Sequence, residues 1–353
     1  MMPPLILSAA QLADIALSPA GVTAQAASPF EAEPALLVRP DAGLKTLSPA
    51  ERDTLTAWLL RQPCPVIAVA QTKAEAATLE DDPLREAYDV IVDHPDDAQS
   101  LLARIRQAPL AAMTLVQTLR VTANLPVAQA LTVESLAYAT LQGGPEFRRW
   151  LATHPPSEKR MGSPEPAVLI ERPDAAPECL DIILNRPERR NALSVEMRDA
   201  LIEALQLLLA DNTIRLARLQ GRGKCFSTGG DLDEFGTTPD PATAHAVRSL
   251  RLPGALLAQC GERVECHVHG ACIGAGVELP AFAHRVIAAP WTFFQLPEIR
   301  FGLIPGAGGC VSLPRRIGRQ RTAWLALSAR RINAETALDW GLIDAIEPID
   351  SVR

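Results

Sequence analysis

Two sharp, glycine-rich turns within one stretch, residues 269–309, constrain the fold of this chain more than any other feature. The first turn is the run of small residues at 270–276, and the second reads Pro-Gly-Ala-Gly-Gly at 305–309. Small residues let the backbone come close to a ligand, and a helix that begins near Gly276 would point its free N–H groups at developing negative charge. The stretch therefore predicts a strand, a turn and a helix with the anatomy of an oxyanion site.

The same stretch carries two glutamates among apolar neighbours. Glu278 follows the first turn, and Glu298 comes directly after Pro297. Apolar surroundings raise the pKa of a carboxylic acid and suit it to general acid or base work. Spacing alone leaves an alternative open, in which the stretch is a buried strand, turn and helix with two solvated surface glutamates.

A further small-residue turn, at 227–231, follows a predicted strand and precedes a polar helix start. On its own it is best interpreted as a loop in which Asp231 caps the helix. Joined to the turn at 270–276, it would supply the second amide of a two-amide oxyanion hole. The turn at 305–309 is not a phosphate loop, because no Lys-Ser/Thr pair follows it. We expect that turn to place Glu298 and the helix after it.

Four motifs resemble the signature of the enoyl-CoA hydratase/isomerase (crotonase) family. They read LNRPERRNALS at 184–194, GKCFSTGGDLDEF at 223–235, HGACIGAGVEL at 269–279 and QLPEIRFGLIPGAGG at 295–309. The resemblance covers about half of the chain, residues 166–353, and both glutamates of the family pattern are present. It implies an α/β fold whose core is a crotonase-like superhelix, or spiral, of ββα units.

The resemblance also implies the residues of the site. Glu278 and Glu298 are the expected catalytic residues. The backbone N–H groups of Gly230 and Ala275 are the expected oxyanion hole, with alanine at 275 where most family members have glycine. The residues expected to bind coenzyme A are Arg189, Arg190, Ala192, Leu193, Thr228 and Asp231.

The activity that the resemblance implies is hydration of a 2-enoyl-CoA thioester to 3-hydroxyacyl-CoA. The alternatives are a double-bond isomerase, which needs one base, or other crotonase-type acyl-CoA chemistry. A protein that binds acyl-CoA without catalysis, or a scaffold, is a hypothesis of a different class. We expect an acyl-CoA substrate and no cofactor beyond its coenzyme A moiety.

Composition excludes several other functions. A net charge of −7 argues against nucleic-acid binding, which depends on neutralising phosphates. An anionic substrate would then need a local basic cluster, and two short segments supply one: Arg186, Arg189, Arg190, Arg222 and Lys224. Seven cysteines without a CxxC pair argue for reduced thiols and a cytoplasmic location. We expect no signal peptide, because the N-terminus lacks a basic region and its apolar residues are interrupted by Gln11 and Asp14. We expect no membrane span, because no apolar run reaches about 18 residues.

A possible metal cluster lies at Cys266, His267 and His269, whose alternation could bring ligands to one face of a strand. No second ligand pair lies nearby in the sequence. We therefore predict no metal site and interpret His269 as a structural residue at the end of a core strand.

The chain divides into five predicted segments. Residues 34–95 resemble a shortened, chemically silent copy of the core, because ALLVRPDAG at 35–43 is similar to AVLIERPDAA at 167–176. Within them, a capping box at Ser48 and Glu51 with Pro49 predicts a helix that ends near Arg61. The other segments are 1–33, which has no assigned role, the helical segment 96–155, the Pro- and Ser-rich linker 156–166 and the catalytic core 167–353.

The helical segment 96–155 resembles the tail that in this family follows the core and closes over the acyl-CoA or packs on a neighbouring subunit. Here it precedes the core. We expect it to pack on 166–353 and to cover Ala337, Leu338 and Trp340 of the last helix, which leaves 34–95 as an appendage. We also expect a homo-oligomer, a trimer or a related assembly, as in the family.

Overall fold

The computed structural model describes residues 6–18, 26–31, 33–155 and 163–349. Its strands are β1 Ile6–Ser8, β2 Leu36–Arg39, β3 Val66–Val69, β4 Val90–Val92, β5 Val168–Glu171, β6 Cys179–Leu184, β7 Leu216–Gly221, β8 Val264–Val268, β9 Ala271–Ile273, β10 Arg285–Ala288, β11 Phe293–Gln295, β12 Arg331–Asn333 and β13 Ala345–Ile346. Its helices are α1 Ala9–Ala16, α2 Pro49–Arg61, α3 Lys73–Thr78, α4 Pro95–Ile105, α5 Pro109–Thr122, α6 Val127–Gln142, α7 Pro145–Thr153, α8 Val195–Ala210, α9 Pro241–Leu250, α10 Pro253–Cys260, α11 Ala275–Glu278, α12 Gly309–Ile317, α13 Arg319–Ser328 and α14 Ala334–Trp340. None of the helices in these ranges is long and apolar enough to cross a membrane.

The second half of the chain forms a six-stranded sheet in the order β13-β10-β8-β7-β6-β5. The β5–β6 pair is antiparallel, and every other neighbour in this sheet is parallel. Helix α8 connects β6 to β7, and it begins after Ser194, whose side chain accepts a hydrogen bond from the Met197 amide. A separate three-stranded sheet, β12-β11-β9, carries the two glutamate-bearing segments.

The first part of the chain forms a four-stranded parallel sheet in chain order, β1-β2-β3-β4. The predicted capping box is present: the Ser48 side chain and the Glu51 amide are hydrogen-bonded, Glu51 reaches back to the Ser48 amide, and α2 ends at Arg61. Strand β1 lies within residues 1–33, to which the sequence assigned no role, and it pairs with β2. The small sheet therefore begins near residue 6 rather than at residue 34.

The likeness between residues 35–43 and 167–176 does not extend to how their strands pair. Strand β2 is parallel to β3, with α2 between them, whereas β5 forms an antiparallel pair with β6. Two short apolar runs followed by Arg-Pro-Asp look alike because both need a buried strand and then a turn, which many topologies share.

The small sheet is not an appendage, as the sequence had suggested. Its apolar residues Ile67, Val69 and Val90 belong to the main hydrophobic cluster, together with residues of α4, α5 and the second half of the chain. The buried carboxylate of Asp89, 1% exposed, binds the guanidinium groups of Arg120 on α5 and Arg319 on α13. The Asp89 carboxylate therefore links the small sheet both to the helical segment and to the second half of the chain.

The helical segment packs mainly on α9, α12 and α13 of the second half of the chain. The expected cover of α14 is different: Ala337 is buried against the core's own strands, Trp340 stacks edge-on against Trp324 at 5.6 Å, and Leu338 stays exposed. Of the predicted linker, residues 156–162 lie outside the described residues. Its end is held by the core, since the Pro166 carbonyl accepts hydrogen bonds from Asn185 and Arg186.

Candidate active site

Three neighbouring segments, which run in the same direction, end at one edge and bring distant residues together. Strand β9 pairs in parallel with β11, and a parallel bridge joins Ser227 to Cys272 of β9 on its other side. Gly230 follows the first segment, Glu278 follows β9, and Glu298 follows β11. Because the carboxyl ends of parallel strands lie at the same edge, the pairing places the two glutamates and the predicted amides around one cavity.

Glu298 is a buried carboxylic acid with one oxygen, Oε2, that has no hydrogen-bond partner among the described residues. Burial, and after it the nearby Glu278, raise the pKa of Glu298 well above the usual range of a glutamate. Gly274 is required beside it, because its φ is +53° and a Cβ there would lie 2.6 Å from Glu298 Oε1.

Glu278 is buried at the end of the short helix α11, and its orientation is fixed. Its Oε2 atom accepts hydrogen bonds from the Ala307 amide at 2.7 Å and from the Gly309 amide at 2.8 Å. Burial raises the pKa of Glu278 to about 7, while these two bonds act in the opposite direction. A carboxylate with a pKa near neutrality can both accept and release a proton.

This arrangement corrects the role expected for the turn at 305–309. The sequence suggested that the turn places Glu298 and the helix after it. Helix α12 does begin at Gly309, but the amides of the turn bind Glu278 and not Glu298. Glu298 is positioned by its own place after β11, in a single 3-10 turn that ends at Phe301.

The two predicted oxyanion amides lie in turns that touch each other. A Cβ on Gly229 would lie 2.6 Å from the Ile273 carbonyl oxygen and 3.3 Å from the Ala275 nitrogen, so the two turns are in direct contact. Within the described residues, neither the Gly230 amide nor the Ala275 amide donates to a protein acceptor. Both residues line the cavity that the two glutamates share. The geometry leaves two backbone donors available to a ligand oxygen.

The residues predicted to bind coenzyme A line the same cavity, whose volume is about 640 Å³: Arg189, Arg190, Ala192, Leu193, Thr228 and Asp231. The structure therefore brings all of them together with the glutamates. The Arg189 guanidinium is already paired, at 2.9 Å with Asp231 and at 2.5 Å with Asp233. A ligand phosphate would have to share it with these carboxylates.

The predicted cluster of five cations is smaller than expected. Arg186 is 5% exposed, pairs with Glu196 at 2.6 Å and donates to backbone carbonyls at 165 and 166, so it holds the loop and does not face the cavity. Arg222 and Lys224 line a second depression on the other side of the loop. Of the five, Arg189 and Arg190 remain at the main cavity.

Asn191 is a residue whose importance sequence reasoning missed. It is fully buried with a φ of +50°, its side-chain oxygen accepts from the Arg186 amide, and its side-chain nitrogen donates to the carbonyls of Arg222, Cys225 and Phe226. The available signal was an asparagine, a residue type that tolerates positive φ, in a polar loop.

Glu134 is the other missed residue, and it comes from α6 of the helical segment. It is 1% exposed, and its two oxygens accept hydrogen bonds from the amides of Gly308 and Cys310, each at 2.7 Å. Burial, and after it Glu278, raise the pKa of Glu134 well above the usual range. The signal was an acid on the apolar face of a helix, between Leu131 and Tyr138 at helical spacing.

Helix α6 also contributes to the cavity wall. Tyr138 and Gln142 line the cavity, and a Cβ on Gly306 would lie 2.2 Å from the Tyr138 ring. Arg248 of α9 lies over that ring at 4.0 Å and donates to Gln142 at 3.1 Å. Part of the segment that precedes the core thus closes the cavity.

His269, which was predicted to be structural, and the nearby His267 both make local contacts. His267 Nε2 lies 2.6 Å from Glu265 Oε1, and His269 Nε2 lies 2.9 Å from the Gly223 carbonyl oxygen. In the described ranges, no group of three or more His, Cys, Asp or Glu side chains is arranged to hold a metal ion.

Comparison with known proteins gives a consistent family. The enoyl-CoA hydratase/isomerase model matches residues 176–353. The chain is 38% identical over 168 residues to 1,2-epoxyphenylacetyl-CoA isomerase of Escherichia coli K12, a match that covers 46% of this chain and 64% of the relative. It is 33% identical over 180 residues to the mevalonyl-coenzyme A hydratase of Beauveria bassiana, which covers 49% of this chain and 64% of that protein.

A solved structure gives a match of similar extent. The enoyl-CoA hydratase of Thermoplasma volcanium GSS1 is 32% identical, with 52% of this chain and 73% of that chain covered and a TM-score of 0.47. The match to each of the two curated relatives spans less than two thirds of the relative's length.

Proposed function

The chain belongs to the enoyl-CoA hydratase/isomerase family and has its crotonase-like α/β fold, and on that premise we propose that it hydrates a 2-enoyl-CoA thioester to the 3-hydroxyacyl-CoA. One observation carries the proposal: two buried glutamates with raised pKa values line the same cavity as two unused backbone amides. Hydration needs both an acid and a base beside the substrate, whereas a double-bond isomerase can work with a single base.

The amides of Gly230 and Ala275 would hold the thioester oxygen and stabilise the enolate that forms during attack. Removing one such donor costs about 10²–10³ in rate in other enzymes. Ala275 serves as well as glycine for this purpose, because the donor is the backbone N–H. The substrate is the acyl-CoA, and we propose no cofactor beyond its coenzyme A moiety.

The two glutamates would take different parts in proton transfer: one accepts a proton and the other delivers one. Glu278, with a pKa of about 7, is partly ionised at neutral pH and accepts a proton from water, whose oxygen bonds to C3. Glu298, whose pKa burial and then the charge on Glu278 raise well above its usual range, delivers a proton to C2 as the C2–C3 double bond is consumed. The proton on Glu278 must then return to Glu298, directly or through solvent, before the next turnover.

The test is the ultraviolet absorbance of crotonyl-CoA incubated with the purified protein. Loss of the conjugated enoyl absorbance, with 3-hydroxybutyryl-CoA found by mass spectrometry, supports hydration. Unchanged absorbance with enoyl-CoA of several chain lengths would contradict it, and saturable acyl-CoA binding without any reaction would favour a non-catalytic binder.

Double-bond isomerisation is the second candidate, and one contrast favours it. Glu278 Oε2 is engaged by two amides, whereas Glu298 Oε2 is unpaired and free to shuttle a proton. With 3-enoyl-CoA as the substrate, an isomerase increases the conjugated absorbance. An increase there without loss from crotonyl-CoA would replace the hydratase proposal.

A further inference from the structure

Two carboxylates from different parts of the chain bind alternate backbone amides of one turn. Residues 307–310 present four successive backbone amides. The first and third donate to Glu278 Oε2, at 2.7 and 2.8 Å. The second and fourth donate to Glu134 Oε1 and Oε2, both at 2.7 Å. Alternate amides of the turn point to opposite sides, so each carboxylate holds the backbone that orients the other.

We propose that Glu134 is a positioning residue, which fixes the turn at 306–310 and through it the carboxylate of Glu278, so that the helical segment 96–155 is a required part of the active site. This inference rests on the proposed function for its catalytic consequence. Its structural part, the fixing of the turn, stands independently of which reaction the site performs.

Two further contacts hold the same turn from the helical segment. The Thr122 hydroxyl of α5 donates to the Cys310 carbonyl at 3.0 Å, and Thr122 is fully buried. Ala130 and Leu131 of α6 form an apolar cluster with Val311. These contacts set the distance between α6 and the turn at which the Glu134 carboxylate reaches both amides.

Charge as well as geometry connects the two acids. Glu278 raises the pKa of Glu134, after burial, and Arg248 and the turn amides act in the opposite direction on both acids. Interacting acids titrate as a set, so a change at one member moves the apparent pKa of the others. The ionisable groups that face this set are Glu298, Tyr138, Arg248 and Cys310.

Glu134→Gln is the informative variant because it keeps the shape of the side chain. A carboxamide has a single acceptor oxygen, so the NH₂ group would face one of the two amides as a second donor. That amide loses its acceptor, and the turn becomes freer to move. Displacement of a reacting group by about 1 Å can cost 10²-fold in rate.

Glu146→Gln is the matched control. Glu146 is also a buried glutamate of the helical segment, 7% exposed, and its two oxygens accept from the amides of Leu110 and Ala111 at 2.8 and 3.0 Å. Those amides lie in the first turn of α5 and do not belong to the turn at 306–310. The control therefore reproduces the loss of a buried acceptor without touching residues 306–310.

Hydrogen exchange of the intact protein, read by mass spectrometry on a peptide that contains residues 306–310, tests the structural part. We expect faster exchange in Glu134→Gln and unchanged exchange in Glu146→Gln, which should instead expose amides at 110 and 111. Equal exchange of the turn in both variants and the wild type would overturn the proposal. This readout does not need turnover, so it separates failure of the positioning role from failure of the proposed function.

Kinetics with crotonyl-CoA test the catalytic part. We expect Glu134→Gln to lower kcat by about 10–100-fold with KM nearly unchanged, and to shift the acidic limb of the kcat/KM profile to higher pH, because a freer turn weakens the two amide hydrogen bonds that lower the pKa of Glu278. A merely structural glutamate would leave that limb in place, as Glu146→Gln should. If Glu134→Gln does not fold, Glu134→Asp replaces it: both acceptor oxygens stay, the reach to the amides of Gly308 and Cys310 is shorter, and loss of kcat is again expected. Wild-type kcat in Glu134→Asp would contradict the proposal.

Discussion

Glu278→Gln should make this protein more stable at alkaline pH while it abolishes turnover. The wild-type carboxylic acid is 2% exposed, and burial raises its pKa from a usual value of 4.5 to about 7. A group whose pKa is raised on folding contributes stability that is present below its unfolded pKa and lost as pH rises through its folded pKa. The wild type therefore loses stability between about pH 4.5 and pH 7, and a neutral glutamine at the same place does not.

The magnitude follows from the size of the pKa shift. Each unit corresponds to about 1.4 kcal/mol, so Glu278 costs the folded state about 3 kcal/mol once it is fully ionised. Between pH 5 and pH 8 the free energy of unfolding of Glu278→Gln should rise relative to the wild type by about 2.5 kcal/mol. The glutamine oxygen can still accept from the Ala307 and Gly309 amides, so little packing or hydrogen bonding is lost.

Equilibrium unfolding in urea, followed by circular dichroism at both pH values, measures this difference. Glu51→Gln is the control, because Glu51 is a fully exposed capping residue whose pKa is lowered by its hydrogen bonds to Ser48. By the same linkage, its stabilising effect is lost as pH falls, so that variant should not gain stability at pH 8.

A pH-independent difference between Glu278→Gln and the wild type would refute the reasoning. It would show that Glu278 is not a buried acid with a raised pKa, and the general-base role would lose its physical basis. Full turnover in the variant would remove the two-acid mechanism even if the stability change were found.

Four further predictions concern other parts of the molecule. Glu298→Gln should lower turnover by about 10²–10⁴-fold in steady-state assays while acyl-CoA affinity by calorimetry stays close to wild type, because an amide keeps the shape but cannot transfer a proton; wild-type turnover would exclude Glu298 as the acid. Asn191→Ala should lower stability by about 2–3 kcal/mol in thermal unfolding and raise KM, because three carbonyls and one amide lose a partner inside the loop that lines the cavity; an unchanged melting temperature would contradict this. A fragment of residues 166–353 should be insoluble or inactive, since it lacks Glu134 and exposes the faces of α12 and α13, and a fragment from residue 96 should recover part of the solubility; a soluble, active 166–353 fragment would make the N-terminal half an independent module. The intact chain should form a homo-oligomer, a trimer or a related assembly, in size-exclusion chromatography with light scattering, and a monomer would count against this.

The sequence by itself determined much of the local structure around the candidate site. Ser48 and Ser194 predict the starts of α2 and α8 because a helix N-terminus needs a side-chain acceptor. The two glycine-rich turns and the two acids among apolar residues predicted that two glutamates and two backbone amides would meet, and these residues line one cavity. The helix starts and turns could be predicted because they depend on neighbours in the chain. The expectation that these distant residues lie close together came from the family resemblance.

Tertiary structure alone decided how the two halves of the chain cooperate. Nothing near Glu134 in the sequence indicates that it binds amides far along the chain at 308 and 310, and nothing near Asp89 indicates that it pairs with Arg120 and Arg319. A buried charge must find its partners wherever packing brings them, and that choice depends on the whole fold. The same is true of the turn at 305–309. Its sequence predicts a tight turn, but the surrounding helices decide which carboxylates its amides bind.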